Sequence, residues 1–410
     1  MLRDDAEKII NNAIASASPD EAVKRALSEI NLTGVNKLVL ISIGKAAWQM
    51  AYAAKNYLGE RIDAGIVITK YEHSKGKLAN IKICEAGHPI PDENGIKATE
   101  KAIDLVENLG ENDAVLFLIS GGGSALFEKP LIPLEELKDI TNQMLAKGCS
   151  IQEINTIRKR LSDVKGGKFA LKCKPAKVYS IVLSDILGDP MDMIASGPAC
   201  PDSSTAQDAI DIIKKYNLNL SKNALQLMHK ETPKNLDNVK SFVTGSVKQL
   251  CVSAEQTAKE LGYEPIVLTT TLSCEAKEAG SFLASIAQYY QEKEKSLAFI
   301  LGGETVVRVS GSGRGGRNQE LALSSAQGLS ICKDSAIFSV GSDGTDGPTD
   351  AAGAYVDNFS FKKLLLNGID PFEVLKNNDS YSALSAIGAL IFTGPTGTNV
   401  NDLTVLLIKR

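Results

Sequence analysis

Short runs of β-branched and other apolar residues alternate along this chain with amphipathic stretches of helical period, and most of the runs end in glycine. That alternation constrains the fold more than any other feature, because strand, helix and next strand close into a sheet with helices on both faces. In the first half the strand candidates are 37–43 (KLVLISI), 64–69 (AGIVIT), 114–120 (AVLFLIS) and 178–184 (VYSIVLS). The second half adds 241–245, 265–270, 296–302, 335–341 and 389–394, with VVRV at 306–309 as a further candidate. Helical periodicity covers 4–29, 45–58, 93–109, 135–147, 205–215, 247–261, 275–292 and 317–328. The expected fold class is α/β: two α/β domains with mainly parallel sheets flanked by helices, and an active-site cleft between them. A length of 410 residues suits two cores better than one. The polar stretch 217–240 marks the junction, giving a Rossmann-like first domain at 1–240 and a second at 241–410, with more than one crossover allowed.

Charge narrows the function classes. Lys and Arg total 45 against 49 Asp and Glu, so no dense cationic surface is expected for nucleic acid or membrane. The N-terminus is charged, without the apolar segment of a signal peptide, and no run of about 18 apolar residues suggests a membrane span. The seven cysteines are scattered without C-x-x-C spacing and read as free thiols of a reducing compartment. A cytoplasmic protein that binds small polar ligands is the expectation.

In such a fold the ligand crevice forms where strands end, so the loops after the strands carry the candidate site. The segment 119–126 (ISGGGSAL) breaks an apolar strand into Ser120, Gly121, Gly122, Gly123 and Ser124; glycines there let several N–H groups converge on one anion beside a helix N-terminus. Lys45 follows Gly44 directly after the first strand and opens a helix, a setting for an oxyanion. Asp185, Asp189 and Asp192 gather after the strand 178–184 and suit a divalent cation or a proton from a hydroxyl. Between 302 and 320 lie Glu304, Arg314 and Arg317, the arginines able to grip a carboxylate or phosphate with two parallel bonds. Gly311, Gly313 and Gly316 satisfy a literal G-x-G-x-x-G, but the Arg, Asn and Gln around it argue against a dinucleotide turn. Asp343, Asp346 and Asp350 form a further acidic loop, and 393–402 carries Thr396, Thr398, Asn399 and Asp402. No G-x-x-x-x-G-K-[ST] is present, and with three histidines a Ser–His–Asp hydrolase is hard to assemble. His88 is accounted for by helix-start and turn chemistry around the two prolines that follow it.

Taken in order, IGKAA (43–47), AGHPIPD (86–92), LISGGGSAL (118–126), INTIRKRLSDVKGGKFA (154–170), VLSDILGDPMDMIASGP (182–198), the 302–320 run, GSDGTDGPTDAAGA (341–354), NNDSY (377–381) and TGPTGTNVND (393–402) resemble the glycerate 2-kinase family, whose C-terminal part is called the MOFRL domain. The resemblance implies ATP-dependent phosphorylation of D-glycerate to 2-phosphoglycerate with Mg²⁺ or another divalent cation. D-glycerate and ATP are then the partners, and a homodimer is compatible. In the mechanism expected on this basis, residues 120–124 cradle the ATP phosphates, with Lys165 and Glu304 as further nucleotide-side candidates. Asp185, Asp189 and Asp343 are offered to the metal. Lys45 and Arg317 hold the glycerate carboxylate and the moving phosphoryl oxygens, and Asp189 or Asp192 takes the hydroxyl proton. Two rivals stand beside this reading. One is an NAD(P)-dependent hydroxypyruvate reductase, supported by the glycine pattern at 311–316; the other is a non-catalytic nucleotide or sugar-acid binding protein.

Overall fold

In the computed structural model, which describes residues 2–410, six strands form one sheet: β1 (Leu38–Ile43), β2 (Ala64–Lys70), β3 (Ile81–Ala86), β4 (Ala114–Ile119), β5 (Lys177–Leu183) and β6 (Val239–Gly245). Their order is β3-β2-β1-β4-β5-β6, and the pairings from β3 through β5 are parallel. β1 and β4 are buried along their whole length, because a central strand of a parallel sheet is covered on both faces. Hence LVLISI and AVLFLI show no alternation. The chain runs outward from β1 through β2 to β3, then returns to the other side of β1 for β4 and β5. Strand order therefore reverses at β1/β4, the point where an open α/β sheet leaves a crevice at its carboxyl edge.

The same unit, residues 22–184 and 189–244, carries a helical layer packed around Ile140, Ile157, Ile212 and Met228. Two of its helices, Ile151–Leu161 and Ala206–Tyr216, start with reciprocal capping boxes, Ser150 with Glu153 and Thr205 with Asp208. Each cap satisfies otherwise orphaned N–H groups and contributes about 1 kcal/mol.

A second unit comprises the residues up to Glu21, 185–188 and 245–410. Its sheet holds β7 (Glu264–Leu272), β8 (Leu297–Gly303), β9 (Ser335–Gly341), β10 (Gly353–Asp357), β11 (Leu390–Ile391) and β12 (Asp402–Ile408), in the order β11-β10-β9-β12-β8-β7. β7 and β8 are parallel, whereas β12 runs against both β8 and β9, and β10 against β9 and β11. The α/β class with two helix-flanked sheets is as expected; the antiparallel neighbours in this sheet come from β10 and β12, strands absent from the expectation.

Two local expectations are corrected. The helical stretch 4–29 is two helices, Leu2–Ser16 and Pro19–Ser28. Pro19 cannot continue a helix but suits the first turn of a new one. The first of these helices packs Ile9, Ile10 and Ala13 against Leu250, Tyr263, Phe338 and Leu403, so the chain's start belongs with its second half and not with 22–240. VVRV is no sheet strand either. It makes one bridge, Val306 to Glu275, and leaves Val306 and Val309 exposed. All seven cysteines are free. No helix among the described residues is long and apolar enough to cross a membrane.

Candidate active site

At the β1/β4 edge two loops approach more closely than side chains allow. A Cβ on Gly44, whose φ is +111°, would lie 2.3 Å from Ser120 Oγ; only glycine permits this. The Lys45 N–H donates to Gly121 O at 2.8 Å, Ala46 N–H donates to Ser120 Oγ at 3.1 Å, and Ser120 N–H donates to Ile43 O at 3.0 Å. Gly122 also has positive φ, +86°, and a Cβ there would stand 3.1 Å from both Lys45 Cγ and His88 Nε2. Lys45, the glycine loop and His88 thus meet at one place. His88 escaped the sequence reading because its two prolines explain a turn equally well. Burial, then the charges of Lys45, Lys70 and His73, hold its pKa below the usual value.

Beyond the glycines, Ser124 Oγ shares a 2.9 Å hydrogen bond with Ser196 Oγ, which donates to Asn155 Oδ1 at 2.8 Å. The structure corrects the phosphate role expected for Lys165. Its ammonium has no exposure, donates to Ser124 O at 2.8 Å and Phe127 O at 2.9 Å, and pairs with Glu128. Lys165 pins the loop from behind. Burial pulls its pKa down to about 8.

The aspartates after β5 separate into different environments. Asp192 Oδ2 accepts from Lys159 Nζ at 3.1 Å and Ser203 Oγ at 2.6 Å, so as a proton acceptor it is already engaged, against one of the two expectations for the base. Asp189 adopts φ +52° and its Oδ1 is buried without a hydrogen-bond partner. Asp185 falls in the segment 185–188 that clusters with the second unit. Asp343 Oδ1 accepts from Thr345 N–H and Oγ1 at 2.9 and 3.1 Å, an Asx-turn. Among the described residues no three His, Cys, Asp or Glu gather as a ready metal nest. A Mg²⁺ ion, however, commonly uses one or two carboxylates and completes its shell with water and substrate phosphate. The orphaned Asp189 oxygen is a donor of that kind, so the residues fit such an ion.

In the second unit Arg317 opens the helix Arg317–Leu329. Its Nε and Nη2 donate to Asp402 Oδ2 and Oδ1 at 2.5 and 3.0 Å, and Nη1 pairs with Glu304 at 3.0 Å. Burial works against the charged form, but the Asp402 hydrogen bond and both carboxylates win and raise its pKa. The fork expected to grip substrate is therefore oriented by two carboxylates, of which Asp402, the first residue of β12, had stood only as a loop residue. Arg317, Glu304, Glu320, Asn378 and Leu187 line a cavity of about 590 Å³.

The glycine pattern at 311–316 has a different use. A Cβ on Gly311 or Gly313 would strike the Asn377 backbone, and one on Gly316 would lie 2.2 Å from Asp346 Cγ. Asp346 Oδ1 and Oδ2 accept from the N–H groups of Asn318 and Gln319 at 3.1 and 2.9 Å. The helix N-terminus that a dinucleotide would need is filled by the protein's own carboxylate. Burial pushes Asp346 up to about 6. A carboxyl raised above its unfolded value protonates first in the folded chain, which gains stability as pH falls from about 6 toward about 4. Asp346→Asn removes that gain, so urea unfolding across this pH range should show the wild type strengthening relative to the variant; parallel curves would refute the assignment.

Comparison with known proteins follows the same lines. Residues 5–229 match the model of a domain of unknown function, DUF4147, and residues 297–402 match the MOFRL family. The chain is 52% identical to the D-glycerate 2-kinase of Thermotoga maritima over 98% of its own length and 97% of that protein. A crystal structure of glycerate kinase from Thermotoga maritima superposes with a TM-score of 0.94, covering 99% of each chain at 52% identity. A protein of Agrobacterium vitis named putative hydroxypyruvate reductase is 38% identical over 98% of this chain and 93% of its own.

Proposed function

We infer the reaction from one premise: this chain belongs to the glycerate 2-kinase family. It transfers the γ-phosphoryl group of ATP to the 2-hydroxyl of D-glycerate, releasing 2-phosphoglycerate and ADP. The observation that carries this reading is likeness along the whole of both chains, since a shared fold over part of a chain would leave the site's chemistry open. The glycine loop agrees with it. Gly44, Gly121 and Gly122 bring backbone and Lys45 together where a charged group is to be held still, and phosphoryl transfer depends on positioning and charge neutralisation above all.

In this mechanism the bond from the glycerate oxygen to γ-phosphorus forms as the bond to the β,γ-bridging oxygen of ATP breaks, and the hydroxyl proton passes to Asp189. Lys45 neutralises phosphoryl oxygens at the 120–124 loop. Asp189 would offer its unpartnered oxygen to a divalent cation, which when bound would offset the phosphate charge. Arg317 supplies a second cation for substrate oxygens, fixed by Asp402 and Glu304. Asp402→Asn loosens that fork and lowers kcat/KM about tenfold; an unchanged steady-state value would show that Asp402 orients nothing the reaction uses.

The reductase reading loses its support where Asp346 fills the helix N-terminus. Phosphorus NMR of ATP, Mg²⁺ and D-glycerate with the protein is the decisive test, and the 2-phosphoglycerate resonance is expected to grow with time. A 3-phosphoglycerate signal would overturn the position of transfer. Absence of either product, with reduced nicotinamide consumed when hydroxypyruvate is supplied, would overturn the kinase reading.

A further inference from the structure

The helix Ile151–Leu161 ends in three consecutive basic residues, Arg158, Lys159 and Arg160. Two of them are already bonded within the protein. Lys159 Nζ donates to Asp192 and Asp202 at 3.1 and 2.9 Å, and Arg160 donates to Thr156 O, Ser204 Oγ and Ser204 O at 2.9–3.0 Å. Arg158 is not: among the described residues its guanidinium has neither a hydrogen bond nor an ion pair. Its side chain is half-buried, and that partial burial draws its pKa below the usual guanidinium range, with Glu128 opposing. Glu128 itself is paired with Lys165. A half-buried guanidinium with no bonded partner keeps its fork of donors open for a ligand.

Its location gives those open donors a purpose. Residues three apart on a helix share a face, so Arg158 lies beside Asn155, which reaches Ser124 of the glycine loop through Ser196. Arg158 is also within electrostatic reach of Lys165 and Glu128, the pair behind the same loop. Positive charge is thus held in reserve next to the segment that cradles phosphate, on a side chain whose planar fork matches a carboxylate with two parallel bonds.

We propose that Arg158 binds the carboxylate of the acceptor substrate, making it the residue that selects a hydroxy acid over an uncharged polyol. The proposal rests on the kinase reading above and assigns the carboxylate to Arg158, leaving Lys45 to the phosphoryl oxygens.

The test compares wild type with Arg158→Met and Arg158→Lys in D-glycerate, glycerol and ATP titrations, with urea unfolding of each. In Arg158→Met the KM for D-glycerate rises about 50-fold while the KM for ATP stays within about twofold, and the preference for D-glycerate over glycerol narrows by a similar factor. Arg158→Lys, which keeps the charge but not the fork, recovers only part. The urea midpoint of Arg158→Met is equal to or above that of wild type, since an unpaired charge has been removed. An unmoved KM for D-glycerate overturns the proposal, as does a KM for ATP that rises with it. A sharply lower urea midpoint overturns it too, by marking Arg158 as a structural counter-ion of Glu128. Should wild type fail to phosphorylate D-glycerate, the kinase reading falls, and calorimetric binding of D-glycerate decides Arg158 alone: loss in Arg158→Met upholds it and equal binding refutes it.

Discussion

Replacing Lys45 by alanine lowers kcat/KM for D-glycerate phosphorylation about a thousandfold, the scale seen when one donor to a developing oxyanion is removed. The fold should survive this change. The structural bonds of Lys45 are made by its backbone, through N–H to Gly121 O and through its carbonyl to Thr69 and His73. Its side chain crosses Gly122 beside His88 and takes part in no hydrogen bond or ion pair among the described residues. The lost ammonium therefore appears in turnover and not in the unfolding midpoint. Lys45→Arg keeps the charge in a larger, planar head and regains a fraction of the rate. Steady-state kinetics beside a thermal melt make the check. A fall of less than tenfold with an unchanged melt would remove Lys45 from the phosphoryl site.

Lys165→Met shows the reverse pattern, a loss of about 3–5 kcal/mol in folding stability, because deleting one partner leaves Glu128 buried and uncompensated. Lys165 is wholly enclosed and ties Ser124 O and Phe127 O together, so three acceptors lose their donor at once. The double variant Lys165→Met with Glu128→Gln should regain much of the loss, since the stranded charge goes too. Urea denaturation of the two singles and the double measures this coupling. If Lys165→Met costs under about 1 kcal/mol, the ion pair is not what holds the loop.

These two lysines also show where sequence reading stops. Both stand beside glycines in polar motifs, and nothing local distinguishes a cation left unpaired from one sealed behind a loop. Lys165 is enclosed by Ser124, Phe127 and Glu128, a matter of contact between distant parts of the chain. The same limit applies to Asp189 and Asp192, three residues apart in one loop, where only Lys159 and Ser203 reveal that Asp192 is engaged. Asp402 gained its meaning from Arg317, 85 positions earlier. By contrast the unbroken apolar runs of β1, β4, β8 and β9 were plain, because a strand covered on both faces needs no alternation. The loop at 119–126 was plain as well, since positive φ at Gly122 demands what the sequence spells. β12 escaped notice although its run is just as apolar, and strand direction is written in connections rather than in composition. The pattern at 311–316 misled in form only: its glycines admit the 377–380 backbone and Asp346, where a nucleotide would want the space.

The helix Leu2–Ser16 shares its apolar face with Leu403, Val405 and Leu407 of β12, and its Asp5 is clasped by Lys409 Nζ at 2.9 Å and by the Tyr263 hydroxyl at 2.6 Å. The helix Leu2–Ser16 thus finds its partners far along the chain, first in Leu250, Cys251 and Ala254 of the helix Val247–Glu260 and then in β12. Until residues 247–260 are made, Ile9 and Ile10 have no place to settle, while residues 22–184 and 189–244 can collapse around a sheet of their own. Nascent chains cut short of residue 247 should carry a greasy, unclaimed helix face, and with it a call on chaperones that the folded second unit no longer makes.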